Sequence, residues 1–339
     1  MRNYRIALLE GDGISPVLLD AWVQALELLG KSHGFSMAFT RLPFGKSAYL
    51  TTGSALPEET LAFIRTADAA LLPAVDAQGM NGPSPVGELR RKLDLFADVR
   101  PILAYPGKWA LHNNVDLVFI RESTQGFLSD RNLFSGNGEW MSDKDTAFSL
   151  RVITYVASKR IADFAFQYAL RHGRRKITAL HKESIFRMTC GTFLRACRDA
   201  AAEHSGVLYE EELVDNAANH LISAPGMYDI LLTTNLFGDI LSDEAAALVS
   251  SLAPGMNLGK DCAVFLPVNH QPCYSRMATD DYDPLPSALC VKMMLQHLSE
   301  NSAASQLDGA IRKAILTKLS GASAIVENVL AELHQGEGS

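Results

Sequence analysis

Met1 to Gly30 reads MRNYRIALLEGDGISPVLLDAWVQALELLG. Its opening run, Tyr4 to Leu9, is the short apolar stretch that a strand buried on both faces requires, and it stops at Glu10-Gly11-Asp12-Gly13. From Pro16 the period changes, because Leu18, Leu19, Trp22, Leu26 and Leu29 recur at the spacing of one helical face. Strand, glycine turn and helix in that order begin a βα unit. A second strand near Ser36 to Leu42, a helix near Pro57 to Arg65 and a strand at Ala69 to Pro73 continue the alternation. The expected fold class is α/β, with parallel strands joined by crossover helices.

The same alternation continues downstream. After a Gly- and Pro-rich stretch from Ala77 to Gly87 come a short helix, a strand and a buried strand at Val115 to Ile120. Ser129 to Asp143, SDRNLFSGNGEWMSD, mixes turn signals with short aromatic runs and reads as a projecting hairpin arm. A helix from Ile153 to His172 and strands at Ile177 to Leu180, Val207 to Val214 and Ile230 to Thr234 follow, and the last quarter is helical. There is no internal repeat and no low-complexity linker.

Composition bounds the function. Of 339 residues, 47% are hydrophobic and 20% charged, enough for a sizeable core and too apolar for a disordered chain. With 31 Lys+Arg against 38 Asp+Glu the formal net charge is -7, so an anionic substrate needs a local cluster of cations. The basic run Arg171 to Lys176 is short and broken by Gly173; it reads as a solvated helix end, so no nucleic-acid partner is expected. No apolar run reaches the roughly 20 residues of a membrane span and no signal-peptide core opens the chain, so a cytoplasmic protein with no membrane partner is expected. Five cysteines without metal-type spacing read as buried thiols.

Several groups could carry chemistry. Gly11 to Pro16 lies where a phosphate-binding turn would lie, although Pro16 breaks the G-x-G-x-x-G pattern and a plain tight turn would look the same. Arg90, Arg100 and Arg121 stand at or near the ends of short elements, where guanidinium forks suit carboxylates; each taken alone also suits a surface. In Thr233 to Glu244, TTNLFGDILSDE, Asp239 and Asp243 are four apart and share a helix face directly after a buried strand. Either the helix dipole alone accommodates them, or a divalent cation preferring oxygen, Mg²⁺ or Mn²⁺, relieves their repulsion. Lys182 and Asp215 each follow a strand, at the edge where α/β sheets present catalytic groups.

Together these pieces resemble the β-decarboxylating dehydrogenases, the family of isocitrate, isopropylmalate, homoisocitrate and tartrate dehydrogenases. The resemblance runs in order through EGDGISP, LRRKLDLFADVRP, RESTQGF, LHKESIF, LVDN, TTNLFGDILSDEAAAL and APGMNLG. It implies an isopropylmalate dehydrogenase-like two-domain fold with a large mixed, mostly parallel sheet flanked by helices. Residues 1–95 plus 250–339 would form a cofactor-side domain, and residues 96–249 a central domain with the metal site, the dimer interface and the arm near 129–143. It further implies oxidation of a malate-type (2R)-hydroxy acid with NAD, ahead of NADP, followed by decarboxylation, in a homodimer with shared active sites. By position, Arg90, Arg100 and Arg121 would hold the substrate carboxylates. Asp239 and Asp243, with Asp215 of a partner chain, would hold Mg²⁺ or Mn²⁺, and Lys182, also from the partner, would take the hydroxyl proton. Ile14, Asn235, His270 and Asp283 would contact the dinucleotide.

This chain also departs from the family pattern. Leu128 stands where relatives carry a proton-donating Tyr, Gln125 replaces a Glu, and Ser184 replaces an Asn. Leu266 to Ser275, LPVNHQPCYS, lacks the Gly expected in the adenosine loop. Ala77 to Gly87 offers neither a cation for a third carboxylate nor a bulky apolar wall for an isopropyl group, which points to a member serving a specialised pathway. Two other readings fit these departures: a 2-oxo acid decarboxylase without a redox cofactor, and a non-catalytic ligand-binding regulatory subunit.

Overall fold

The computed structural model describes residues 2–75, 84–127, 138–268 and 281–335. The chain divides into two compact units, one from Met1–Leu93, Tyr105–Trp109 and Ser250–Ser339, the other from Asp94–Ala104 and Ala110–Val249. The first unit opens with β1 (Arg2–Leu9), α1 (Ser15–His33), β2 (Phe35–Leu42), α2 (Lys46–Thr52), α3 (Glu58–Ile64), β3 (Ala69–Leu71) and α4 (Pro85–Lys92). The second carries β4 (Ala97–Leu103), β5 (Asp116–Glu122), β6 (Glu139–Asp143), β7 (Thr146–Ser149), α5 (Tyr155–His172), β8 (Lys176–His181), α6 (Arg187–Glu203), β9 (Leu208–Leu213), α7 (Val214–Ser223), β10 (Ile230–Thr233) and α8 (Asn235–Ala247). The first then resumes with β11 (Met256–Leu258), β12 (Ala263–Phe265), α9 (Leu285–His297), α10 (Asn301–Leu316) and α11 (Ala322–Gln335).

The α/β expectation, with a mixed and mostly parallel sheet flanked by helices, is borne out in each unit. In the first, the strand order is β2-β1-β3-β12-β11, parallel except for the β11–β12 hairpin. In the second it is β4-β5-β10-β8-β9, parallel except between β4 and β5. Among the described residues no helix is long and apolar enough to cross a membrane.

The opening stretch behaves as its periodicity requires. Ile6 to Leu9 are buried, and α1 turns Leu18, Leu19, Trp22, Leu26 and Leu29 inward. The indole of the fully buried Trp22 donates to Ser287 Oγ at 2.9 Å, tying α1 to α9 with its one polar atom satisfied. The turn between β1 and α1 has a structural reason of its own. Gly11 has φ +60°, and a Cβ there would come within 2.0 Å of the Ala74 carbonyl oxygen. The neighbouring Asp12 carboxylate accepts from the amides of Lys46 and Ser47 at 3.1 and 2.9 Å, serving the N-terminus of α2 from a distance.

Three expectations need correction. The hairpin lies at 139–149 rather than 129–143, because Asp143 Oδ1 accepts from the Asp145 amide at 2.9 Å and turns the chain there; residues 128–137 lie outside the described residues. The basic run is not wholly a solvated end: Arg174 is ion-paired to Asp116 at 2.5 Å and Asp229 at 2.9 Å, joining the end of α5 to the starts of β5 and β10. Asp215 does not merely follow a strand but sits in the first turn of α7. Cys190, Cys197, Cys262 and Cys290 are buried free thiols, and Cys273 lies outside the described residues.

The Gly11 contact is steric and involves backbone, which cannot move aside cheaply. Gly11→Ala is expected to destabilise the fold by at least about 2 kcal/mol, read as a lower urea midpoint at unchanged slope; an unchanged midpoint would contradict the contact.

Candidate active site

The second unit gathers most of the candidate residues around β4, β5 and α8. In the antiparallel β4–β5 ladder Asp98 lies directly opposite Arg121, and Arg100, two residues further along β4, shares the face of Asp98. One sheet face therefore carries two guanidinia and a carboxylate, and α8 packs on both strands. All three side chains are buried: Asp98 is 0%, Arg100 3% and Arg121 1% exposed. Charges so placed must be paired with one another.

Asp98 supplies the common partner. Its Oδ2 lies 2.9 Å from Arg100 Nη2, 3.1 Å from Arg100 Nε and 3.4 Å from Arg121 Nη1. The outer edges of both guanidinia face α8. Arg100 Nη1 donates to Ser242 Oγ at 2.6 Å and lies 3.3 Å from Asp243 Oδ1, while its Nη2 lies 3.2 Å from Asp239 Oδ1. Arg121 Nη1 pairs with the same Asp239 oxygen. Burial works against the Arg100 charge, but the Asp98 and Asp239 carboxylates outweigh it and hold the guanidinium above its ordinary range. Gly238 makes this approach of α8 possible, since a Cβ there would lie 2.1 Å from Thr233 Oγ1 and 3.0 Å from Arg121 Cβ.

Asn235, expected at the dinucleotide, stands behind Arg121. It is fully buried, its Oδ1 accepts from Arg121 Nε at 2.9 Å and Nη2 at 2.5 Å, and its Nδ2 donates to the Gln125 carbonyl at 2.8 Å. The segment after Arg121 is equally fixed. Glu122 accepts from the Thr124 and Gln125 amides at 3.0 and 2.8 Å; burial pushes its carboxyl up, with these hydrogen bonds working the other way. The Gln125 amide exchanges hydrogen bonds of 2.8 and 2.7 Å with Thr154.

Lys182 and Asp215 form a second group within the same unit, Lys182 on the turn after β8 and Asp215 in the first turn of α7. Lys182 Nζ lies 2.7 Å from Asp215 Oδ1, and this hydrogen bond holds the Asp215 carboxyl below the usual carboxylate range. Among the described residues of a single chain no three acidic, His or Cys side chains stand close enough together to hold a metal ion. Asp239 and Asp243 thus form one carboxylate pair, and Asp215 belongs to another group.

The remaining candidates lie in the first unit. Arg90 Nε donates to the buried Asn257 Oδ1 at 2.5 Å. Ile14 is the N-terminal flanking residue of α1 with its side chain buried, so only its backbone is available to a ligand. Asp283 is ion-paired to Lys108 at 2.9 Å and accepts from the Leu285 amide at 3.0 Å, at the start of α9. His270 and Leu128 lie outside the described residues.

Sequence reasoning missed Asp98 and Ser242. The signal for Asp98 was its place two residues before Arg100 in a strand, which puts both on one face.

The family described as isocitrate/isopropylmalate dehydrogenase matches residues 5–327, and the chain belongs to it. It is 35% identical over 317 residues to the 3-isopropylmalate dehydrogenase of Methanothermobacter thermautotrophicus, covering 93% of this chain and 92% of that one. It is 32% identical to the homoisocitrate dehydrogenase of Methanocaldococcus jannaschii, covering 93% and 91%. The structure of isocitrate dehydrogenase from Methylococcus capsulatus superposes with a TM-score of 0.88 at 31% identity, covering 98% of this chain and 100% of that one.

Removing the shared carboxylate should cost more than removing a surface charge. Asp98→Ala is expected to lower stability by about 3–5 kcal/mol, because two buried guanidinia lose their common partner, and Asp98→Asn by clearly less. Chemical denaturation of both variants measures this, and equal, small losses would show that Asp98 is not the partner on which they depend.

Proposed function

We propose that the chain oxidises a malate-type (2R)-hydroxy acid at its CH–OH group, with NAD as acceptor, and then releases the adjacent carboxylate as CO₂. Membership of the family makes it a hydroxy-acid dehydrogenase, and dependence on NAD and on a divalent metal is part of the proposal. The observation that carries the finer reading is the pair of buried guanidinia whose outer edges share one carboxylate on α8. Two N–H groups from separate guanidinia that converge on one carboxylate oxygen suit a substrate carboxylate equally well.

The residues fit a hard divalent cation. Asp239 and Asp243 are oxygen donors one helical turn apart, and their side chains remain 46% and 26% exposed among otherwise buried neighbours. With Asp215 of a second copy they would hold Mg²⁺ or Mn²⁺. When bound, the ion supplies Lewis-acid polarisation of the substrate oxygen and NAD supplies the hydride acceptor. Arg100 and Arg121 bind a substrate carboxylate through the N–H groups that now face Asp239 and Asp243. Asn235 and Asp98 keep the guanidinia from turning as those partners exchange. Lys182 accepts the hydroxyl proton, and Asp215 orients its amine. Because Lys182 and Asp215 lie together and apart from Asp239, the reading includes a homodimer in which one copy lends both to its neighbour.

The substrate's 3-substituent carries neither a third carboxylate nor an isopropyl group, since the segment from Ala77 to Gly87 offers no matching cation or wall. The test incubates the protein with NAD, Mn²⁺ and malates bearing hydrogen, methyl, isopropyl, carboxymethyl or hydroxyl at C3, following nicotinamide absorbance. Reduction is expected with a small 3-substituent, loss of turnover with a chelator, and recovery on adding Mn²⁺. Lys182→Met should lower kcat by at least about a hundredfold. No reduction with any member of the panel would sink the reading.

A further inference from the structure

Arg151 touches the three stretches that carry the candidate chemistry, although nothing in that chemistry calls for it. Its guanidinium lies over the rings of Phe127, Phe186 and Phe237, at 5.8, 4.9 and 5.3 Å from their centres. Phe127 closes the segment that begins with Arg121, Phe186 closes the turn that begins with Lys182, and Phe237 lies on α8 two residues before Asp239. The same guanidinium donates to Thr189 Oγ1, to Cys190 Sγ at 3.4 Å and to Thr234 Oγ1 at 3.4 Å. Three rings alone would be filled by any apolar side chain. Three rings with three polar acceptors around their edge require a flat, multiply donating cation, which lysine cannot replace.

The contacts lead to Lys182 through one atom. Cys190 Sγ accepts from Arg151 and also from the Lys182 amide, each at 3.4 Å. The Lys182 carbonyl accepts from the Ile185 and Phe186 amides at 3.1 and 2.8 Å, so the turn bearing the lysine is closed on itself and rests on Phe186 and Cys190. Arg151 has a fixed base, because the adjoining Val152 exchanges both backbone hydrogen bonds with Gly126, at 2.8 and 2.9 Å. The guanidinium therefore references the Lys182 turn to the segment that carries Arg121 and to the first turn of α8.

We propose that Arg151 is a positioning residue for the proton-accepting lysine: it fixes the Lys182 turn, and with it the Lys182–Asp215 pair, on the frame of its own unit, and so sets how that pair is presented to the site of the neighbouring copy. The inference rests on the reading of Lys182 as the base. It predicts that loosening Arg151 lowers kcat and leaves substrate KM nearly constant, since Arg100 and Arg121 are held by Asp98 and Asn235 instead.

The test compares Arg151→Gln, Arg151→Lys and Thr189→Val with the full-length parent, and includes Lys182→Met. Hydrogen exchange is followed by mass spectrometry over His181 to Cys190, and kcat and KM are measured with the malate that the panel identifies. Arg151→Gln is expected to speed exchange in that segment alone by about tenfold or more and to lower kcat by about tenfold with KM within about threefold. Arg151→Lys should fall between parent and Gln. Thr189→Val, which keeps the guanidinium and removes one acceptor, should show a smaller change of the same kind and serves if Arg151→Gln does not fold. Unchanged exchange over His181 to Cys190 would overturn the proposal, as would exchange rising throughout the chain. So would normal kcat in Arg151→Gln when Lys182→Met is inactive. Full turnover in Lys182→Met would instead remove the base itself, and the proposal would fall with that reading rather than on its own ground.

Discussion

Two arginines and an aspartate buried on one face of an antiparallel strand pair set the terms for the rest of the second unit. Asp98 lies opposite Arg121 in the ladder and on the same face as Arg100, so both guanidinia meet one carboxylate by register alone. A buried charge is tolerated only when its hydrogen bonds are met, and an arginine has five to place. Of the N–H groups of the two arginines together, Asp98 faces three, Asn235 takes two and Ser242 one, which leaves the edges facing Asp239 and Asp243 as the part that can exchange partners. Under the proposed function, an anion would meet guanidinia whose rear N–H groups are already paired.

This requirement also explains why β4 runs against the grain of its unit. A parallel partner for β5 would need a crossover and would offset the residues of the two strands, whereas the antiparallel ladder sets Asp98 and Arg121 side by side. Gly238 follows from the same demand, because α8 can lie close over Arg121 only where it carries no side chain. Sequence features that look unrelated, an acid in FADVRP and a glycine in NLFGD, answer to one electrostatic constraint.

The layered alternation was legible because it depends on period alone: α1 buries the very residues whose spacing marks it, and the long helices and parallel strands fall within a few residues of where periodicity puts them. The short elements were legible only in part: β3 and α3 stood out between their neighbours, whereas β11 and β12, of three residues each, and α2, of seven, did not, because so few residues carry no period of their own. In the site, Arg100, Arg121, Asp239 and Asp243 stand out by motif, while Asp98 does not, because one acid in a strand says nothing of what lies across the ladder. The resemblance places Asn235 at a dinucleotide, whereas its side-chain amide bonds to Arg121 and Gln125, a choice only tertiary contacts reveal. Arg151 follows an exposed hairpin and resembles any surface arginine until the three phenylalanines are seen around it.

The separation of Lys182 and Asp215 from Asp239 and Asp243 has a physical sense under the proposed function. A lysine placed permanently among Arg100, Arg121 and two aspartates would be held as an ammonium by the carboxylates and would compete with a metal ion for them. Kept with Asp215 on turns of its own, it has one partner, and that partner would be drawn away when the carboxylate turns to a cation. An arrangement in which one copy lends the pair and the other offers the Arg100 and Arg121 edges would make assembly and metal binding consequences of the same contact, and would let a chain of net charge -7 attract a dicarboxylate locally.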